Sequence, residues 1–148
     1  MRPADRESDH GAHAERELRA QAAALRIEGD TRFLGWVDAD DLEGLYAVAD
    51  GFVMPSLYEG FGLPVLEAMA RGVPVACSDR SSLPEVAGHA ALLFDPEDVA
   101  AIAAALDSLV NDEAAAERLR AAGPERARRF SWERTARSTL DAYSRALA

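Results

Sequence analysis

The sequence predicts an α/β protein in which a parallel sheet is covered by helices and followed by a helical tail. Three observations lead there. The strand candidates are short continuous apolar runs, they alternate with helical patterns as far as Phe94, and beyond Phe94 only helical patterns remain. A chain of 148 residues, 49% hydrophobic and 28% charged, has the composition of an ordinary globular domain. That composition excludes a disordered chain, a collagen-like chain and a disulfide scaffold.

Residues 1–13 are polar without periodicity and read as a tail, leaving 14–148 as one domain. From 14 to about 27, Leu18, Ala22 and Leu25 recur at helical spacing. The run 31–37 (TRFLGWV) reads as a strand for its aromatic and apolar content. Asp40 reads as the cap of a helix, with Glu43 completing a capping box and Leu42, Leu45, Tyr46 and Ala49 as its apolar stripe. Residues 51–55 (GFVMP) form a buried type of strand. A helix over 64–71 then starts at Pro64 and stops at Gly72.

Two more strands follow at 73–78 (VPVACS) and 90–94 (AALLF), with a turn and a short helix start at Ser81-Ser82-Leu83-Pro84-Glu85 between them. Asp95-Pro96 opens a long helix in which Val99, Ile102, Leu106 and Leu109 face one way. Asp112 opens a shorter one that Gly123-Pro124 stops. Ser131 caps the last helix, whose Trp132, Ala136, Leu140, Tyr143 and Leu147 lie on one side; core packing is the favoured role of Trp132 and Tyr143, packing on another domain the alternative.

Acidic residues number 26 against 16 basic ones, all of them Arg, for a net charge of −10. Such a surface repels phosphate backbones and anionic lipid, which excludes a general nucleic-acid or membrane-surface binder. A local site for a phosphorylated small molecule survives, because backbone amides and helix starts bind anions without net positive charge. The arginines Arg118, Arg120, Arg126, Arg128 and Arg129 make the tail locally basic and read as a solvated face. Cys77 is the single cysteine, reads as a core thiol, and suits a reducing compartment. With no run of 18 apolar residues and a polar start, the expected location is cytoplasmic. His10 and His13 in the tail and His89 in a loop carry no metal-ligand spacing.

The chemistry concentrates in Pro55 to Arg71, PSLYEGFGLPVLEAMAR. It begins where a strand ends, the place where open parallel sheets bind ligands. Gly60 and Gly62 leave the backbone approachable, and the helix behind them aims free amides and its positive end at the same place. Glu59 and Glu67 supply carboxylate acceptors suited to the vicinal hydroxyls of a ribose or hexose. A nucleotide sugar carries phosphate and both kinds of hydroxyl. Taken alone, the same residues also make an ordinary turn, a Pro-started helix and two solvated acids, since no complete G-x-G-x-x-G follows.

Glu59-Gly60-Phe61-Gly62-Leu63-Pro64-Val65-Leu66-Glu67-Ala68-Met69-Ala70 resembles the two-glutamate signature of the retaining glycosyltransferases of family four. Flanking stretches follow the family's order: Phe33-Leu34-Gly35-Trp36-Val37, Leu45-Tyr46 with Ala49-Asp50, Pro55-Ser56, and Gly72-Val73-Pro74-Val75. So do Leu83-Pro84-Glu85-Val86 with Gly88, and Phe130-Ser131-Trp132-Glu133. The resemblance spans about 14–148 and implies the GT-B architecture of two facing Rossmann-like domains.

By that resemblance Glu59 lies beside the donor sugar near the reacting carbon, as the catalytic residue. The amides of Gly60, Phe61, Gly62 and Leu63 hold the sugar and distal phosphate, Glu67 accepts from the ribose hydroxyls, and Gly35, Trp36 and Val37 form the base-binding loop. The implied reaction moves a sugar from a nucleotide donor (UDP-, GDP- or ADP-sugar) to an acceptor hydroxyl with retention, without metal or other cofactor. The stretch 78–96 is most similar to bacterial mannosyltransferase-type members, which favours GDP-mannose. The acceptor is then a carbohydrate or lipid-linked, and the complete enzyme is cytoplasmic or peripheral to the inner membrane face. The alternative is a non-catalytic nucleotide-sugar-binding or interaction module.

The family's preceding strand-loop, with an Arg and a Lys on the diphosphate, matches nothing here, and neither does its N-terminal acceptor domain. The chain thus reads as an incomplete donor domain with about four strands, equivalent to strands 3, 4, 5 and 6 of the order 3-2-1-4-5-6. The expectation is that 31–37 loses its neighbour on one side, that 51–55 presents an unpaired edge, and that the domain is marginal or needs a missing partner.

Overall fold

The computed structural model describes residues 9–147. They divide into two compact units, one ending at Ala39 and the other beginning at Asp40. In the first, α1 (Asp9–Ala24) starts inside the stretch expected as a tail; residues 1–8 lie outside the described ones. The stripe read on α1 buries only Ala22, while Leu18 and Leu25 are exposed. A turn returns Ile27 to α1 through its amide on the Ala22 carbonyl at 3.0 Å. The Arg19 guanidinium then stands 4.4 Å from the centre of the Phe33 ring.

The segment 31–37 is not a strand. Among the described residues it pairs with no other segment, and the sheet has three strands rather than four. A ladder needs a neighbour to accept and donate its hydrogen bonds, and apolar content alone does not supply one.

The second unit opens with α2 (Ala39–Val48). The helix begins one residue before Asp40, so Asp40 and Asp41 sit in its first turn, where they oppose the helix dipole, rather than at its cap. The expected capping box is absent, for Glu43 reaches away to Arg71. Next come β1 (Phe52–Met54), α3 (Leu63–Ala70), β2 (Val75–Ser78), α4 (Leu83–Ala87) and β3 (Ala91–Phe94). The strands are parallel in the order β1-β2-β3, with Phe52 opposite Val75 and Val75 opposite Ala91. β1 therefore stands at an edge, where the expectation put it.

The alternation of side chains along the strands divides the core in two. Phe52, Met54, Val75 and Cys77 face Tyr46, Val65, Met69, Leu83 and Val86. Val53, Ala76, Leu92 and Phe94 point the other way, toward Ala105, Leu109 and Leu119. Helices cover both faces, which is why these strands read as continuous apolar runs.

Helix α5 (Val99–Asn111) starts later than Asp95-Pro96: Asp98 caps it, accepting from the amides of Ala100 and Ala101. Asp95 instead turns back on the Glu97 amide. The face that packs is Ile102, Ala105 and Leu109, while Val99 and Leu106 are exposed. Helix α6 (Glu113–Ala127) is capped by Asp112 as expected but runs through Gly123-Pro124. A Cβ on Gly123 would stand 3.0 Å from the Met69 carbonyl oxygen, so this glycine marks a close helix crossing, not a stop. Helix α7 (Trp132–Ala146) takes its cap from Ser131, yet none of its residues is buried. Trp132, Leu140, Tyr143 and Leu147 are open to solvent, and the core role read for this stripe is corrected accordingly.

Candidate functional site

The strand β1 delivers the chain into a loop that ends at Gly62, the residue before α3. Gly62 has φ +101°, and a Cβ there would stand 2.7 Å from Leu83. Only glycine takes that turn readily and lets α4 come so near. The loop is tied down from α4's approach. Ser81 and Ser82 donate their hydroxyls to the Glu59 carbonyl at 2.7 and 3.0 Å, and the Ser82 hydroxyl also faces the Phe61 carbonyl at 2.9 Å. The Ser81–Glu85 stretch was legible as a turn; its anchoring of this loop was not. Serines announce hydrogen bonding, but their partners lie more than twenty positions away.

What those bonds leave unpaired defines the site. The carbonyls of Glu59 and Phe61 are occupied, while among the described residues the amides of Gly60, Phe61 and Gly62 donate no hydrogen bond. Leu63 follows at the first helical position, where no intrahelical acceptor exists for its amide. The Glu59 carboxylate makes no hydrogen bond or ion pair among the described residues. A run of unpaired amides beside a free carboxylate and a helix start can bind an anionic oxygen and a hydroxyl at adjacent points.

Glu67 lies one turn inside α3, half-buried, and α2 holds it. The Tyr46 hydroxyl stands 3.4 Å from Glu67 Oε2 and 3.5 Å from the Pro64 carbonyl. Burial, and then the negative charge of Glu67, push the Tyr46 phenol above its ordinary value, so it remains a donor at neutral pH. Arg71 completes the arrangement: Nε donates to Glu43 Oε2 at 2.7 Å, NH2 to Glu43 Oε1, and NH1 to the Glu67 carbonyl at 2.8 Å. The guanidinium holds Glu43 below the usual carboxylate range and lies 4.8 Å from the Tyr46 ring centre. Tyr46 read only as an apolar stripe residue. The spacing of Glu67 and Arg71, four apart on one helix face, was the available signal that a partner helix would meet them there.

Gly35, Trp36 and Val37 belong to the first unit, the loop and α3 to the second. Gly35 has φ +64° and Trp36 is 87% exposed. Among the described residues no three His, Cys, Asp or Glu side chains gather as a metal site.

The family model described as "Glycosyl transferases group 1" matches residues 11–126. The chain is 52% identical over 116 residues to the O-antigen chain mannosyltransferase B of Escherichia coli, covering 78% of this chain and 30% of that protein. It is 40% identical over 126 residues to a glycogen synthase of Mycobacterium tuberculosis, covering 83% of this chain and 30% of that one. Among solved structures, the sucrose-phosphate synthase of Thermosynechococcus elongatus superposes with a TM-score of 0.81 at 32% identity, over 97% of this chain and 36% of that chain. The C-terminal domain of a group 1 glycosyl transferase from Francisella tularensis does so at 0.72 and 26%, over 80% and 63%. The chain thus spans 30% of each of these two curated relatives and as little as 14% of other mannosyltransferases it matches. With its glycine-bent loop and three parallel strands matched in sequence and in shape, it belongs to the glycosyl transferases group 1 family.

Proposed function

We propose that this chain is the donor-binding part of a retaining glycosyltransferase and that its ligand is a nucleotide sugar, with GDP-mannose favoured. The supporting observation is the loop ahead of α3, where unpaired amides of Gly60, Phe61 and Gly62 adjoin the free carboxylate of Glu59. In this reading those amides and that of Leu63 take the sugar and the distal phosphate. Glu67, steadied by Tyr46, accepts from the ribose hydroxyls. The likeness to an enzyme named a mannosyltransferase supports the choice of sugar.

The transfer breaks the bond between the anomeric carbon and the diphosphate and forms one to the oxygen of an acceptor hydroxyl on a carbohydrate or lipid-linked molecule, whose proton passes to the leaving diphosphate. Glu59 faces the sugar beside the reacting carbon. The leaving diphosphate gains negative charge, which the amides and the start of α3 stabilise without a metal. The acceptor is selected by a separate domain.

The test is binding by the full chain. GDP-mannose, UDP-glucose and ADP-glucose are compared for thermal stabilisation, because a ligand that prefers the folded state raises its apparent stability. One of the three is expected to do so, and Glu67→Ala is expected to weaken it by about 1–3 kcal/mol, the range for a lost charged hydrogen bond. No response to any donor, or undiminished affinity in Glu67→Ala, overturns the assignment. Retention is checked on the complete enzyme by the anomeric configuration of the product.

A further inference from the structure

Helix α7 is turned the wrong way for a helix that packs by its apolar stripe. Its Trp132, Leu140, Tyr143 and Leu147 face solvent, while Ser131, Arg134, Thr135, Ser138 and Thr139 line a cleft of about 810 Å³ that is walled on the other side by Arg126, Arg129 and Phe130. A cleft of that size falls in the range of small-molecule sites. In a chain of net charge −10, three guanidiniums meet here with one carboxylate residue, Glu85, on the wall.

The hydrogen bonds sort these groups into fixed and available ones. Arg126 is fixed: Nε donates to the Val86 carbonyl at 2.8 Å, NH2 to the Glu85 carbonyl, and its guanidinium lies 5.0 Å from the Phe130 ring centre. Thr135 and Thr139 give their protons to the carbonyls one turn back. Ser131 accepts from the Arg134 amide, which leaves its own proton to donate. The Ser138 hydroxyl makes no hydrogen bond among the described residues. Arg129 makes no side-chain hydrogen bond or ion pair there, and Arg134 reaches only the Arg129 carbonyl, at 3.4 Å. Among the described residues the Arg129 guanidinium and the Ser131 and Ser138 hydroxyls are left as donors, and Arg134 spends one N–H on a long bond and keeps the rest.

We propose that this cleft is a second ligand site, distinct from the loop ahead of α3, and that it takes the phosphate group of a phosphomonoester. Planar guanidiniums on two sides match a phosphate's several oxygens, and the serine hydroxyls add neutral donors. Arg126 contributes fixed positive charge from the floor. The site also touches the donor loop, since Phe61 lines the cleft and its ring meets Phe130 edge-on at 5.9 Å. Occupancy of the cleft therefore bears on the same loop whose amides the proposed donor uses.

The experiment uses the ¹⁵N-labelled full chain with two probes: inorganic phosphate, and phosphatidylcholine vesicles with or without phosphatidic acid. Saturable shifts of the Arg129 Nε and of the Ser131 and Ser138 amides are expected with one probe. The probe that acts says whether the phosphate comes from a soluble molecule or a lipid head group. Arg129→Gln combined with Arg134→Gln is expected to weaken that response at least tenfold. Both side chains are exposed, and an unchanged spectrum away from the cleft verifies the fold. Arg118→Gln on the outer side of α6 is expected to leave it unchanged. Silence with both probes or insensitivity to the double substitution overturns the proposal, as do shifts confined to the amides of Gly60–Leu63, which would place the anion at the donor loop.

Discussion

Tyr46 joins two jobs that a single substitution separates. Its ring packs in the core against Phe52 at 6.1 Å and under Arg71, while its hydroxyl steadies Glu67. Tyr46→Phe keeps the ring and removes the hydroxyl. At 3.4 Å that hydrogen bond is long, so the expected stability loss is under about 1 kcal/mol by urea titration. Donor affinity is expected to fall by a few-fold, less than in Glu67→Ala, because the carboxylate remains but is less well held. An equal loss in both variants would place Tyr46 itself against the ligand. Cys77 makes a second case at this scale. Burial disfavours its thiolate and pushes the thiol up to about 12 from an ordinary 9.0. The folded chain is therefore expected to resist iodoacetamide at pH 8 while the urea-unfolded chain reacts. The linkage has a definite sign. Below pH 9 the thiol is protonated in both states and its contribution to stability is complete. Between about 9 and 12 only the unfolded chain releases the proton, so stability falls with rising pH. Urea midpoints at pH 8 and pH 10, compared between the parent and Cys77→Ala, measure this; equal pH dependence in the two would contradict it.

Helices α3 and α6 meet where Gly123 faces the Met69 backbone, and two opposing effects decide what an added methyl does there. Alanine favours a helix over glycine by about 1 kcal/mol. Yet its Cβ would stand 3.0 Å from the Met69 carbonyl oxygen and 3.2 Å from its Cα, and backbone atoms in a packed helix do not step aside cheaply. Overpacking of this kind costs about 1–3 kcal/mol, so Gly123→Ala is expected to lower the urea midpoint. A rise would mean the crossing is looser than drawn. The same residue shows what was legible in the sequence. Gly-Pro spells a helix stop by local rules, and only a long-range contact reveals glycine serving an approach instead. The parallel strands β1 to β3, the Pro64 helix start behind Gly60 and Gly62, and the caps at Asp112 and Ser131 were legible because their signals are local. The run 31–37 was misread because strand identity depends on a partner absent from the run itself. Tyr46 and the Ser81–Ser82 anchors were missed for the same reason, since their significance lies in residues about twenty positions away.

At the scale of the molecule, protection from solvent follows the order of the sheet. β2 stands between two neighbours and its four residues are wholly buried, while β1 has one neighbour and is only half-buried. Hydrogen bonds on a central strand open only when the layers on both faces separate, so their exchange reports the larger unfolding event. Amides of Val75–Ser78 are therefore expected to be the slowest to exchange deuterium in the full chain. Those of Phe52–Met54 should be faster, and those of 31–37, with no ladder, faster still. α7 belongs with the fast group despite its regular hydrogen bonds, because no side chain on it is buried to oppose local opening. A ligand in the cleft beside α7 would bind the closed form alone and slow α7's exchange without touching β2's, whereas a donor at the loop ahead of α3 would act first on the amides of Gly60–Leu63. Strong protection across 31–37 in the monomer would mean that the segment pairs after all. Slow exchange of α7 in the unliganded monomer would mean that its polar face is held by more than the bonds described here.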